Sequence, residues 1–226
     1  MSDIMVNISV WALPLLFAIT LHEAAHAWVA WKLGDNTAKS MGRVSFNPLV
    51  HIDPFGTVLL PLMLLISGSG FLFGYAKPVP VNFARLNNPR MDMVWVALAG
   101  PGANIFLLVV SAILLNFLGL IPEFAQVWLR ENLYNMILIN AILAVFNMLP
   151  IPPLDGGRVA VGLLPDFLAR PFSRLERYGM LIIIMMIFII PVGGGYLGLN
   201  LNVFQYIIFP PVEVILGLAN NLANLI

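Results

Sequence analysis

The sequence predicts an all-α polytopic membrane protein with about five transmembrane helices and one re-entrant hydrophobic segment. Three observations predict this fold class: a strongly apolar composition, long runs without charge, and the placement of lysine and arginine along the chain. Of the 226 residues, 60% are hydrophobic and 10% are charged, and the mean hydropathy is +0.93. Such a composition cannot provide the charged surface of a soluble domain.

Five runs without charged residues are long enough to contain a membrane-crossing helix, which needs about 20 apolar residues. They contain 19, 23, 30, 23 and 35 residues and lie at 4–22, 54–76, 93–122, 132–154 and 178–212. Pro191 and the three glycines at 193–195 divide the last run into a helix at about 178–190 and a segment from about residue 203. The chain therefore contains six hydrophobic segments.

The second segment, residues 55–75, is a poor candidate for a spanning helix because Pro61 and a Ser-Gly-Ser-Gly run interrupt it. If this segment crosses, six spans place seven Lys and Arg residues on one side and four on the other. If it enters and returns, the counts become ten and one, which satisfies the positive-inside rule better. We therefore predict a plasma-membrane protein with its N-terminus outside and loops 31–92 and 154–177 in the cytosol.

The charge balance and the absence of cysteine exclude several classes of function. Eleven basic residues balance eleven acidic ones, so the chain has no net positive field with which to bind nucleic acid. With no cysteine, the chain has no disulfide, no thiolate metal site and no cysteine nucleophile. Any metal ion must be bound by nitrogen and oxygen ligands.

The first segment contains the motif HEAAH at residues 22–26. A spacing of four residues places the imidazoles of His22 and His26 on one face of a helix, with Glu23 beside them. Two neutral imidazoles can bind Zn²⁺, and the glutamate can take a proton from a metal-bound water. The alternative is an amphipathic turn that happens to contain two histidines. Three ionisable groups at membrane depth, however, indicate a functional site.

A zinc site on these histidines needs a third ligand, and the candidates are His51, Asp53 and Asp155. Asp155 follows a proline-rich run at the end of the fourth segment, where prolines and glycines end the helix and let a carboxylate turn inward. The alternative is an interfacial aspartate in a proline-rich turn. Five spans place Asp155 at the same membrane face as the HEAAH end of the first helix, whereas six spans separate them. The charge count and the ligand geometry thus favour the same topology.

Two motifs, HEAAH in an early membrane helix and N-x-x-P-x-x-x-x-D-G-G at residues 147–157, resemble those of the site-2 protease family of intramembrane zinc metalloproteases. Residues 42–57 and 99–104 resemble the compact branch of that family, which lacks PDZ and CBS domains. The resemblance covers about residues 20–160. It therefore includes both stretches that carry the candidate ligands.

The resemblance implies one zinc ion held by His22, His26 and Asp155, with Glu23 as the catalytic base and Asn147 near the substrate. The implied activity is hydrolysis of peptide bonds within or near the transmembrane helices of protein substrates in the lipid bilayer. A substrate helix must unwind, because its carbonyls are hydrogen-bonded and its backbone is crowded. We predict a short β element near residues 42–46, whose exposed edge pairs with the unwound stretch.

Five other polar residues have two interpretations each. Asn147 donates a hydrogen bond to the developing oxyanion or makes a polar contact between helices. His51 and Asp53 lie between two prolines and either orient a zinc ligand or close a rigid turn. Asn104 is better suited to bonding a neighbouring helix than to binding substrate. Glu213 is either a gate or an interfacial charge.

We expect one intramembrane metalloprotease domain over residues 1–226, with a catalytic core at about 4–160 and accessory helices at about 175–226. Two other functions use the same buried site: a proteolytically inactive zinc-binding membrane chaperone, and a metal transporter. Glu23 argues against the chaperone. The transporter needs a polar path across the bilayer, and the other spans are nearly free of charged residues.

Overall fold

The computed structural model describes residues 2–59, 63, 77–202 and 204–224, and the secondary structure in these residues is entirely helical. The α-helices are α1 Ser2–Lys32, α2 Thr37–Ser40, α3 Pro89–Leu115, α4 Glu123–Asn147, α5 Asp155–Leu163, α6 Asp166–Ser173, α7 Glu176–Ile184, α8 Ile190–Tyr196 and α9 Phe209–Ala223. Short 3₁₀ turns lie at Pro48–Val50, Phe83–Arg85 and Leu118–Leu120, and π-helical turns lie at Pro54–Leu59, Met185–Ile189 and Phe204–Ile208.

Four helical stretches in the described part of the chain are long and apolar enough to cross a membrane: Ile8–Lys32, Pro89–Leu115, Glu176–Tyr196 and Gln205–Ala223. They confirm the prediction of an all-α polytopic membrane protein. Helix α4 is 25 residues long and carries four asparagines, which lower its hydropathy. It packs against α1 and α3 within the same bundle, and its crossing of the membrane stays a prediction. Most of the predicted re-entrant segment, 55–75, lies outside the described residues.

The bundle is held together by small residues and by buried amides. Ala18, Ala27 and Ala30 of α1 are completely buried and let α3 and α4 approach closely. Helix α9 joins the bundle through Val212, which packs with apolar residues of α3 and α4. Small residues and hydrogen bonds are the usual means of helix association in lipid, where burial of apolar surface gives no advantage.

The prediction that the long last run divides into two segments was confirmed, but Pro191 and the glycines at 193–195 do not end the first of them. Helices α7 and α8 form one continuous rod from Glu176 to Tyr196, joined by the π-helical turn Met185–Ile189. Pro191 is accommodated because it directly follows the π-helical turn, where the regular α-helical hydrogen-bond pattern is already interrupted. The helix ends at Tyr196, and the turn that follows it contains Gly198, whose φ of +70° favours glycine.

The predicted β element near residues 42–46 is not formed either. Residues 41–47 make turns and bends, and the described residues contain no strand. A lone extended segment lacks the neighbouring strand with which its backbone groups would pair. The turn begins at Gly42, whose φ of +67° lies in the left-handed region.

Candidate metal centre

Helix α1 presents His22 and His26 on the face that meets α3, one turn apart and both about 93% buried. Their rings make an edge-to-face pair with centroids 4.6 Å apart and an interplanar angle of 84°. Glu23 lies between them in sequence and is half-buried. The predicted one-face arrangement of the HEAAH motif is therefore present.

The Nδ1 atom of each imidazole faces an acceptor on α3. The His26 Nδ1 atom lies 2.7 Å from the carbonyl oxygen of Val96, and the His22 Nδ1 atom lies 2.7 Å from Oδ1 of Asn104. Because these oxygens only accept hydrogen bonds, the proton of each neutral ring resides on Nδ1. Both Nε2 atoms then present lone pairs, which is the form that binds a metal ion.

Asp155 brings a third acceptor to the same point. Its Oδ2 atom lies 3.2 Å from His22 Nε2 and 3.3 Å from His26 Nε2, and the two Nε2 atoms are 3.0 Å apart. This buried Oδ2 atom has no hydrogen-bond partner among the described residues. The three residues form the group that could hold a metal ion in the described part of the chain.

The chemistry of these three atoms fits Zn²⁺. Three lone-pair donors so close together repel one another unless a cation lies between them. Zinc bonds of about 2.0–2.1 Å give tetrahedral ligand separations of about 3.3 Å, close to the observed distances. Three protein ligands leave a fourth position open, as in catalytic zinc sites.

Asp155 reaches this position because tight turns connect α4 to α5. The Leu154 N–H donates to the Ile151 carbonyl and the Gly157 N–H to the Leu154 carbonyl, so α5 begins with Asp155 facing α1. Gly179 of α7 lies against the turn, since a Cβ there would be 1.9 Å from the Pro152 carbonyl oxygen. A helix of the predicted accessory region thus supports the turn that carries the aspartate.

Gly100 of α3 forms a wall of the site. A Cβ at this position would lie 2.3 Å from His26 Nε2 and 2.6 Å from His22 Nε2. In the sequence, Gly100 is noted only as part of the stretch 99–104. The structure shows that the groups approached are the Nε2 atoms of the two candidate ligands, His22 and His26.

Glu23 accepts a hydrogen bond from a segment that the sequence analysis did not identify as functional. The backbone N–H of Val79 donates to Glu23 Oε2 over 2.7 Å. Pro78 and Pro80 flank Val79 and have no N–H, so Val79 carries the one amide proton of these three residues. The alternation of proline and valine is the sequence signal that could have indicated an extended segment with few backbone N–H groups.

The 77–82 segment is held at both ends. At one end, Lys77 donates its N–H to the His51 carbonyl over 3.0 Å, and its carbonyl accepts a 2.5 Å bond from Arg43. At the other end, the Asn82 N–H donates to Asp35 Oδ2 over 2.7 Å. These hydrogen bonds fix the position of Val79 relative to Glu23.

Asp35 is completely buried just after α1, and it too was missed in the sequence. Its Oδ1 atom accepts hydrogen bonds from the N–H and hydroxyl groups of Thr37. Burial raises the pKa of Asp35, but the hydrogen bonds from Thr37 and Asn82 outweigh it and hold the pKa below its ordinary value. The carboxylate therefore stays charged and ties the end of α1 to the 77–82 segment.

His51 and Asp53 are absent from the group of converging ligand atoms. The buried His51 ring donates from Nε2 to the Ser45 carbonyl over 2.9 Å, and burial lowers the pKa of His51. Asp53 accepts from the backbone N–H groups of Phe55 and Gly56 at the start of a π-helical turn. Both contacts are those of residues that shape a turn.

Asn104 and Asn147, the two predicted amides, have different surroundings. Asn104 is completely buried and contacts His22, a candidate metal ligand, directly. Asn147 is half-buried at the end of α4 and donates from Nδ2 to the Leu143 carbonyl of its own helix over 3.0 Å. Its Oδ1 atom and its second amide N–H are the groups it can offer to a ligand.

Comparison with known proteins gives one family and several relatives. The family model described as Peptidase family M50 matches residues 121–191. The chain is 36% identical over 202 residues to a protein named "Putative zinc metalloprotease YwhC" of Bacillus subtilis (strain 168), with 84% of each chain covered. It is 29% identical over 175 residues to "Putative zinc metalloprotease Rip2" of Mycolicibacterium smegmatis, covering 76% of this chain and 64% of the relative. A Mycobacterium tuberculosis (strain H37Rv) protein of the same name is 28% identical over 183 residues, covering 80% and 67%. No solved structure matches the chain.

Proposed function

The chain belongs to peptidase family M50, the site-2 protease family, and is a zinc metalloendopeptidase. From this premise we propose that it hydrolyses peptide bonds within or near the transmembrane helices of membrane-protein substrates. The observation that carries the proposal is the convergence of three buried lone-pair donors, two from a membrane-crossing helix, on one point. A peptidase site on such a helix acts on chains that reach it through the membrane.

His22, His26 and Asp155 hold the single zinc ion in this proposal. When bound, Zn²⁺ supplies Lewis acidity that lowers the pKa of a coordinated water to about 7. The three residues contribute one carboxylate and two neutral imidazoles, a set that keeps the ion's net charge positive. The acceptors on α3 hold both imidazoles in the ligand form.

Glu23 serves as general base and then as general acid. The Val79 N–H holds one carboxylate oxygen, and the second oxygen accepts the proton of the attacking water. Glu23 later returns this proton to the leaving amine. Because the Val79 donor comes from the clamped 77–82 segment, the carboxylate is oriented before substrate arrives.

The substrate is an unwound stretch of a transmembrane helix, since a helical carbonyl is already hydrogen-bonded to its own chain. Asn147 contacts this stretch and orients the peptide through its side-chain amide. Residues 1–226 act as one domain, with the N-terminus outside the plasma membrane and the zinc site near its cytosolic face.

Replacing Glu23 by Gln separates this proposal from an inactive chaperone or a transporter. We would express wild type, Glu23→Gln and the control Glu123→Gln, which alters an exposed carboxylate at the start of α4. New N-termini in the host membrane proteins would be mapped by mass spectrometry, and the zinc content of each purified protein would be measured.

We expect one zinc ion per chain in all three proteins. We expect new N-termini inside membrane-spanning segments only with wild type and the control variant. Equal cleavage by Glu23→Gln would refute the role of Glu23. New termini confined to water-exposed regions would refute the substrate class, and a zinc-free wild type would refute the metal site.

A further inference from the structure

We propose that Asn140 is a positioning residue for the metal site, acting through Asn104 to hold His22 in the tautomer that presents Nε2 to zinc. The inference rests on the proposed function, because it gives His22 the role of a zinc ligand. Asn140 lies on α4, outside both the HEAAH motif and the run at residues 147–157 that contains Asp155. Its sequence position gives no sign of such a role.

A continuous chain of hydrogen bonds connects α4 to the imidazole. The Asn140 Nδ2 atom donates to the Met136 carbonyl over 2.7 Å. Asn140 Oδ1 accepts from Asn104 Nδ2 over 2.8 Å, and Asn104 Oδ1 lies 2.7 Å from His22 Nδ1. Asn104 Nδ2 also donates to the Ala18 carbonyl over 3.2 Å.

Backbone carbonyls determine the direction of every bond in this chain. The Met136 carbonyl only accepts, so the NH₂ group of Asn140 must face it and the Asn140 oxygen must face Asn104. The Ala18 carbonyl and the Asn140 oxygen then both require the NH₂ group of Asn104. The Asn104 oxygen is left for His22, which must donate from Nδ1.

The opposite orientation of the Asn104 amide is incompatible with zinc binding by His22. If the Asn104 amide turned over, its oxygen would face two other oxygens and its NH₂ group would face His22 Nδ1. His22 would then carry its proton on Nε2 and could not bind a metal ion through that atom. Asn140 therefore disfavours the His22 tautomer that cannot bind zinc through Nε2.

Of the two histidines, only His22 depends on amide side chains for its tautomer. The Val96 carbonyl holds the His26 Nδ1 proton directly, so no side chain is needed to define that tautomer. His22 depends on two amide side chains that could each turn over. Asn104 and Asn140 are both completely buried, so water cannot readily replace a missing partner.

Zinc affinity in detergent-solubilised protein, measured by chelator competition, tests the proposal without any substrate. Asn140→Leu removes both hydrogen bonds, whereas Asn140→Asp retains an oxygen to accept from Asn104. The matched control is Asn135→Leu, a buried amide on the same helix that donates to the Val10 carbonyl over 2.8 Å and takes no part in the chain. The absorption spectrum of the Co²⁺-substituted protein reports the ligand geometry in each variant.

We expect Asn140→Leu to weaken zinc binding about tenfold or more and to change the Co²⁺ spectrum. We expect Asn140→Asp to stay within about threefold of wild type, and Asn135→Leu to bind zinc as wild type does. In an Asn104→Leu background, Asn140→Leu should cause no further loss, because the effect passes through Asn104. Asn140→Ala takes the place of the leucine variant if the latter fails to fold.

Wild-type zinc affinity in Asn140→Leu or Asn140→Ala would overturn the inference, as would an equal loss in Asn135→Leu. Neither result would affect the proposed peptidase activity. A wild-type protein that binds no zinc would instead refute the proposed function. The two failures are therefore distinguishable in one set of titrations.

Discussion

Gly100→Ala adds a single methyl group at the wall of the metal site. The added Cβ would lie 2.3 Å from His26 Nε2 and 2.6 Å from His22 Nε2, whereas ordinary contacts of a Cβ begin at 3.4 Å. The helix or the imidazoles must therefore move by about 1 Å. Zinc sites tolerate ligand displacements of only about 0.2 Å, so the movement occurs at the expense of metal binding.

The magnitude follows from the cost of overpacking, about 1–3 kcal/mol for an extra methylene-sized group in a packed interior. If this energy is lost from zinc binding, the zinc dissociation constant rises about 5- to 150-fold. The assay is chelator competition in detergent, combined with thermal unfolding in the presence of zinc and of EDTA. We expect the zinc-dependent increase in unfolding temperature to shrink in proportion.

Gly102→Ala is the matched control, because a Cβ at Gly102 meets nothing within 4 Å and the residue lies on the same helix two positions away. It should bind zinc as tightly as wild type. If Gly100→Ala also binds zinc with wild-type affinity, the imidazoles are not where the structure places them. The assignment of the metal centre would then fail.

Two further predictions concern the segments around the site. Val79→Pro removes the N–H that holds the Glu23 carboxylate, and we expect kcat to fall about tenfold or more with KM and zinc affinity unchanged. Val81→Pro, which keeps that N–H, should retain activity, and equal losses in both variants would contradict the role of the Val79 donor. His51 has a pKa lowered by burial, so the unfolded chain binds its proton more readily than the folded chain. Its contribution to stability is therefore present above the unfolded pKa of about 6.5 and is lost below it. Unfolding free energies from pH 5 to 8 should show a smaller decrease at acidic pH in His51→Gln than in wild type, and identical profiles would refute this.

The general fold and the family were accessible from the sequence because they depend on local features. Long charge-free runs predicted the helices, and the HEAAH motif together with the Asp155 run predicted a family that the comparisons confirm. The two errors arose where context overrides local preference. Pro191 was accommodated by an adjacent π-helical turn, and residues 42–46 have no strand to pair with in the described chain.

The residues that escaped sequence reasoning act through the backbone or through space. Val79 contributes an N–H rather than a side chain, so its residue type carries no chemical signal. Gly100 matters because of the imidazoles opposite it, and Asn140 because its amide bonds both the Met136 carbonyl and the Asn104 side chain. None of these relations has a fixed spacing along the chain.

The sequence alone determined that the chain is a helical membrane protein, because the length of an apolar run is a property of neighbouring residues. It also determined which side chains could bind zinc, because helical spacing and the cost of placing ionisable groups inside an apolar run are equally local. Only the folded chain decided which oxygen completes the site and which ring nitrogen carries each proton. Those outcomes depend on distances of about 3 Å between atoms on α1, α3, α4 and the first residue of α5, which are set by packing between segments far apart in the chain.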